Sequence, residues 1–292
     1  MVSLSSNKMT ETLYIIGNGF DRHHDIKSRY WDFKEWLNIN NYPLFEKVDL
    51  SFRDNVEFWS DMETQLGHLN TKQFHEDNFK EICLSANKDF YFHELQNHSS
   101  ENALRKMVDE LIRNLKLWCL SFDYSHVKAD VSLNKDAYFI TFNYTDTLER
   151  CYRVPKKQIF YIHGRANSDD DLILGSGISS GDIFDNNFNG EYTGDEDHDN
   201  LISEVGRLKK PVCQIIHRNP QVFKKHEEIK AITIMGFSFS EIDIPYLQQL
   251  NTLNPQVVKW NLYFHSLEDL RRIVKFVEAS RISCNKLQLS YF

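Results

Sequence analysis

Four short apolar runs along this chain each stop at a polar turn. They are TLYIIGNGFD from Thr12, AYFITFNYTD from Ala137, QIFYIHG from Gln158 and AITIMGFSFS from Ala231. Such runs, rich in Ile, Phe and Tyr and closed by turn residues, read as buried strands. Between them the spacing becomes helical, with apolar residues every three or four positions. Phe33, Trp36 and Leu37 supply that spacing in 30–37, and Tyr144, Leu148, Cys151 and Tyr152 supply it in a helix expected over 145–153. A fifth strand is expected at 257–264, with helices at about 240–250 and 266–279. Leu172-Ile173-Leu174 is a shorter apolar run ahead of a glycine loop. Strands alternating with helices pair in parallel through right-handed crossovers. The pattern therefore predicts an α/β protein with a doubly wound parallel sheet of Rossmann type.

One stretch breaks the alternation. From about 53 to 124 the pattern is helical throughout, with Val56, Trp59, Met62, Leu66 and Leu69 on one stripe. Leu104, Val108, Leu111, Leu115, Trp118 and Phe122 make a second stripe, read as core rather than interface. The expectation is a single domain over 11–292 with a helical insertion at about 50–128 and a disordered stretch at 1–10.

Charge and cysteine content exclude several classes of function. With 34 Lys+Arg against 42 Asp+Glu the net charge is -8, and no basic block is present. Phosphate-driven binding needs a basic surface, so nucleic acid is not an expected partner. No apolar run approaches the roughly 18 to 20 residues of a membrane span, and the opening MVSLSSNKMTET lacks the apolar core of a signal peptide. A cytoplasmic protein without a membrane partner is expected. Cys83, Cys119, Cys151, Cys213 and Cys284 are widely spaced with no C-x-x-C, which argues for free thiols and against a zinc ribbon or redox dithiol. No metal is expected. Asp185, Asn187, Asn189, Gly190 and Glu196 do fit the pattern of a calcium-binding EF-hand loop. However, Gly175, Gly177 and Gly181 stand where that loop needs an entering helix, so a solvated acidic loop is expected.

The turns that close the strands hold the residues able to do chemistry. Gly17-Asn18-Gly19-Phe20-Asp21 is either a strand-exit turn or a place where a pyrophosphate approaches the backbone without meeting a Cβ. Arg22 occupies the third glycine position of the dinucleotide fingerprint, so the dehydrogenase pattern is not met. In Thr141-Phe142-Asn143-Tyr144-Thr145-Asp146, Asn143 or Thr145 either caps the following helix or, for Asn143, turns a donor and an acceptor toward a ligand. His163, before Gly164, puts an imidazole at the sheet edge where open α/β folds bind ligands. Gly236, Ser238, Ser240 and Asp243 open a helix after the fourth run; Ser240 is either its cap or, with its neighbours, a contact for ribose or phosphate.

Taken together, GNGFD, TFNYTDTLE, IHG, LILGSG and GFSFSEIDIPY, in that order, resemble the AbiH family of bacteriophage abortive-infection proteins. That family in turn resembles sirtuin-like NAD-binding domains, which implies a sirtuin-like core and a role in phage defence. In sirtuin-like NAD-cleaving defence enzymes, the asparagine and the histidine of these blocks are catalytic. The resemblance carries those roles to Asn143 and His163, with NAD as substrate or ligand. It implies a nucleotide-binding shell of Gly17, Asn18, Gly19, Phe20, Asp21, Tyr144, Gly236, Ser238 and Asp243. The zinc-ribbon cysteines of the protein deacylases are missing, which points away from deacetylation. The expected reaction is hydrolysis of the nicotinamide–ribose bond, in which His163 acts as base and Asn143 orients the ribose or water. The alternatives are a nucleotide-sensing module without turnover and a nucleic-acid-cleaving effector. A homo-oligomer or a defence-system partner is the expected company.

Overall fold

The computed structural model describes residues 11–53, 55–85, 99–177, 195–224 and 226–292. In chain order, strand β1 (Thr12–Ile16) leads into the short helix α1 (Gly19–His23). Helices α2 (Tyr30–Asn40), α3 (Tyr42–Ser51), α4 (Met62–Gln65), α5 (Thr71–Ser85) and α6 (Ser100–Leu120) follow. The chain returns to the sheet in β2 (Tyr138–Thr141), α7 (Thr147–Arg150) and β3 (Ile159–Tyr161). Helices α8 (Glu196–Arg207) and α9 (Val212–Arg218) precede β4 (Ala231–Met235) and α10 (Ile244–Leu253). The chain then runs through β5 (Lys259–Phe264), α11 (Leu267–Ala279) and β6 (Leu287–Tyr291).

The strands form one parallel sheet in the order β3-β2-β1-β4-β5-β6, flanked by helices. β1 lies inside the sheet, and its run Leu13-Tyr14-Ile15-Ile16 is buried, as a strand covered on both faces must be. The order reverses between β1 and β4. In open sheets with right-handed crossovers, such a reversal marks the carboxyl edge at which ligands bind. Ile16 pairs with both Thr141 and Met235, and Thr141 with Tyr161, so four strands finish level with one another. The turns after them leave the sheet side by side.

Contacts divide the chain into two compact units. The sheet unit comprises Met1–Ser28, Cys119–Leu172 and Val212–Phe292; the helical unit comprises Arg29–Trp118 and Ile173–Pro211. The helical unit thus begins well before the expected insertion at about 50–128 and adds a second, later stretch that holds α8. The reason lies in its packing. Helix α8 packs on α5, and Arg105 of α6 reaches Glu204 of α8 with two hydrogen bonds of 3.2 and 3.0 Å. Leu104, Leu111, Leu115 and Trp118 of α6 are all buried. Residues 1–10 and most of the 185–196 loop lie outside the described residues.

Several local expectations are corrected. Val56 is 92% exposed, because the chain turns there before α4 begins. The run Leu172-Ile173-Leu174 is irregular backbone, and Ser176 after it forms an isolated parallel bridge to Lys209. The helix expected over 145–153 shrinks to four residues, with Asp146 at its N-cap. Neither Asn143 nor Thr145 caps it, because both side chains are engaged elsewhere. Ser240 does not cap α10 either, since Asp243 holds that position. Strand β6 carries Gln288 and Ser290 in an edge position, so its sequence lacks the apolar run that marks the inner strands.

Candidate functional site

The site is built from the four level strand ends of the sheet unit. Leaving β1, the Gly17 N–H donates to Met235 O at 3.0 Å and the Gly19 N–H to Gly236 O at 2.7 Å. The turns after β1 and β4 are therefore clasped backbone to backbone. A Cβ on Gly17 would fall 2.6 Å from Gly236 O, and one on Gly19 would fall 2.7 Å from Gly236 Cα. Gly236 itself has φ +63°, and a Cβ there would lie 2.0 Å from Phe20 N. These glycines are required for the close approach of two turns, a different reason from the phosphate approach read in the sequence. Asn18 turns its side chain away to donate to Ser28 O at 2.8 Å. Phe20 is fully buried in an apolar cluster with Tyr14, Ile16, Phe139 and Tyr152.

Behind this clasp lies a buried carboxylate. Asp21, on the short helix α1, is fully buried. Its oxygens accept hydrogen bonds from Thr145 Oγ1 and Thr147 Oγ1, each at 2.6 Å. Burial pushes the Asp21 carboxyl up to about 6, against the opposing effect of hydrogen bonds from Thr145, Thr147 and Asn143. Asn143 donates through Nδ2 to Gly17 O at 3.2 Å, so it ties the β2 turn to the β1 turn. Its Oδ1 is buried and has no hydrogen-bond partner among the described residues. A buried acceptor of this kind is costly in a finished core and ordinary in a ligand site.

His163, at the end of β3, belongs to a second, aromatic cluster. Its ring stands edge-on to Phe142 (5.3 Å between centroids, 84° between planes) and to Tyr246 (5.9 Å, 62°). Phe142 also meets Phe237, which follows Gly236. His163 Nε2 lies 3.9 Å from Asp243 Oδ1, at the start of α10. The imidazole is almost fully buried beside that carboxylate. Asn143 and His163 thus sit on adjacent strand ends, with Phe142 linking their surroundings.

The other predicted residues are more peripheral. The Tyr144 carbonyl accepts from Ala166 N at 2.9 Å. Ser238 is exposed, and its carbonyl accepts from Arg272 at 3.3 Å. Beside Tyr144 runs a charged network that the sequence reading did not single out. Buried Arg165 donates to Asp146 Oδ1 at 2.7 Å and also pairs with Glu149. Asn167 adds a hydrogen bond to Asp146 Oδ2 at 2.8 Å. Burial raises the pKa of Glu149, while Arg165 opposes that shift. Thr145, Thr147 and Asp146 all fall within the TFNYTDT block, so that block was the available signal; Arg165 had none beyond its position after Gly164.

Among the described residues, no helix is long and apolar enough to cross a membrane. No curated protein matches the chain. A family model described as "Bacteriophage abortive infection AbiH" matches residues 13–264. That span takes in all four strand-end turns, the buried carboxylate and the His163 cluster, and by this match the chain belongs to the AbiH family of bacteriophage abortive-infection proteins.

Proposed function

We propose that this AbiH chain has a sirtuin-like core and acts in abortive infection by hydrolysing NAD at the nicotinamide–ribose bond. The observation that carries the reading is the buried, unpartnered Oδ1 of Asn143 at the carboxyl edge of a sheet in dinucleotide-fold order. An acceptor held there by the bond from Nδ2 to Gly17 suits a ribose hydroxyl or the attacking water. In the reaction, water adds to the ribose carbon as the carbon–nitrogen bond breaks. Nicotinamide leaves with the bonding pair, and the transition state resembles an oxocarbenium ion. His163 takes the proton from the water, and Asp243 stabilises the resulting imidazolium. Gly17, Gly19 and Gly236 shape the floor of the site, since the N–H groups of Gly17 and Gly19 are bonded within the protein. In this reading Tyr144 and Ser238 border the nucleotide, Asn18, Phe20 and Asp21 hold the turn behind it through their contacts within the protein, and no resident metal takes part.

The test is nicotinamide release from NAD by the purified full chain, with infected-cell extract supplying any trigger. His163→Ala is expected to lower turnover by roughly 10² to 10⁴, the usual share of a general base. Asn143→Ala should cause a similar loss by loosening substrate or water. Calorimetric NAD binding without turnover in the wild type would replace hydrolysis by nucleotide sensing. A His163→Ala chain with unchanged turnover would remove the catalytic assignment.

A further inference from the structure

Helix α1 ends on two adjacent histidines, and the connection between α6 and β2 brings one carboxylate to both. Asp130 Oδ1 lies 3.4 Å from His23 Nε2 and 3.4 Å from His24 Nε2. All three ligand atoms lie within 4.8 Å of one another. A tetrahedral zinc ion with bonds of about 2.0–2.1 Å sets its ligand atoms about 3.3–3.4 Å apart. Both distances to Asp130 already have that value. The His23 and Asp130 side chains are 32% and 60% exposed, so they have room to make the remaining adjustment.

A chance surface cluster is the competing explanation, and the setting of His24 argues against it. Its side chain is buried, and Nδ1 sits 2.6 Å from the Phe20 carbonyl oxygen. That carbonyl can only accept, so Nδ1 carries the proton and the lone pair is on Nε2. Metal-binding imidazoles are held in this way, with the far nitrogen donating to a carbonyl or carboxylate. The Asp130 carboxylate lies on the same side of the ring as that lone pair, 3.4 Å from Nε2. In this structure the lone pair accepts from the Tyr152 hydroxyl at 2.5 Å, which itself accepts from the Val131 N–H at 3.2 Å, so a bound ion takes the place of that hydroxyl proton at Nε2.

We infer that His23, His24 and Asp130 bind one divalent transition-metal ion, with water in the fourth position. Two imidazoles and a single carboxylate favour zinc over magnesium or calcium, which prefer all-oxygen sites. The ion ties the connection between α6 and β2 to α1, the helix that carries Asp21. Zinc there is a clamp on the sheet unit, and the inference stands independently of NAD hydrolysis.

The experiment is a zinc titration of the full chain after chelator treatment, followed by calorimetry and by thermal unfolding. Cobalt substitution reports the ligand geometry by visible absorption. His23→Gln with Asp130→Asn is the test variant, because both side chains are partly exposed. His24 is left unchanged, since its ring is built into the core. The wild type is expected to bind one zinc and melt at a higher temperature with zinc than without. The double variant should bind at least tenfold more weakly and lose the zinc-dependent rise in melting temperature. A variant within tenfold of the wild type, or a wild type with no binding below about 100 µM zinc, overturns the site.

Discussion

At the residue scale, two positions carry most of the physical argument. Asp21 has a folded-state pKa near 6, well above its ordinary 3.8. The native state therefore binds more protons than the unfolded chain between those values, and stability falls as pH rises through the window. About two pKa units correspond to a fall on the order of 3 kcal/mol. Asp21→Asn keeps one acceptor and gains a donor for Thr145 and Thr147, and it has no charge to bury. Urea unfolding at pH 4 and pH 7 should show the variant gaining up to that amount relative to the wild type at the higher pH; a gap that does not change with pH would refute the buried titration. Gly236 makes a purely steric prediction. Its φ of +63° and the 2.0 Å approach of a Cβ to Phe20 N mean that Gly236→Ala strains the backbone and forces two turns apart. A loss of at least about 2 kcal/mol is expected in chemical unfolding.

At the element scale, the parallel register makes the candidate site possible. Four strands end level, so the short turns after them meet at one edge without long loops. The helical unit shows a different economy, in which the apolar stripe of α6 supplies a core. Leu111 is completely buried on that stripe. Leu111→Ala should cost about 2–5 kcal/mol, the range for a buried leucine that leaves a partly collapsed cavity. Equilibrium unfolding checks the value, and a change under about 1 kcal/mol would mean that the stripe is not a core. The Arg165 network shows how a buried charge is kept in the sheet unit, where Asp146 and Glu149 both meet the same guanidinium. Such a group is expensive to break and contributes more to orientation than to net stability.

At the scale of the whole molecule, the AbiH family ties the chain to abortive infection, and the proposed chemistry makes that measurable in cells. Infected cells that carry the wild-type chain should lose NAD and stop releasing phage. Cells carrying His163→Ala at equal protein level should keep their NAD and lose protection. Protection retained alongside unchanged NAD would direct attention to another effector chemistry. The net charge of -8 sets a further expectation that nucleic acid is not held by charge alone.

What the sequence determined by itself is local. Buried parallel strands are continuous apolar runs, and turns need glycine or polar residues, so β1, β2, β3 and β4 and the turns after them could be read directly. The alternation with helices then implied a parallel α/β sheet. Tertiary structure decided everything that depends on distant partners. Gly17 and Gly19 need to be glycine because Gly236, far along the chain, packs against them. Asn143 and Thr145 read locally as caps, yet they turn to Gly17 and Asp21, because the pairing of β1 with β2 places those partners beside them. His23 and His24 show no metal spacing in sequence, since Asp130 reaches them only when the connection after α6 folds back onto α1. Periodicity records which side of an element is buried; strand order and register determine which residues meet there.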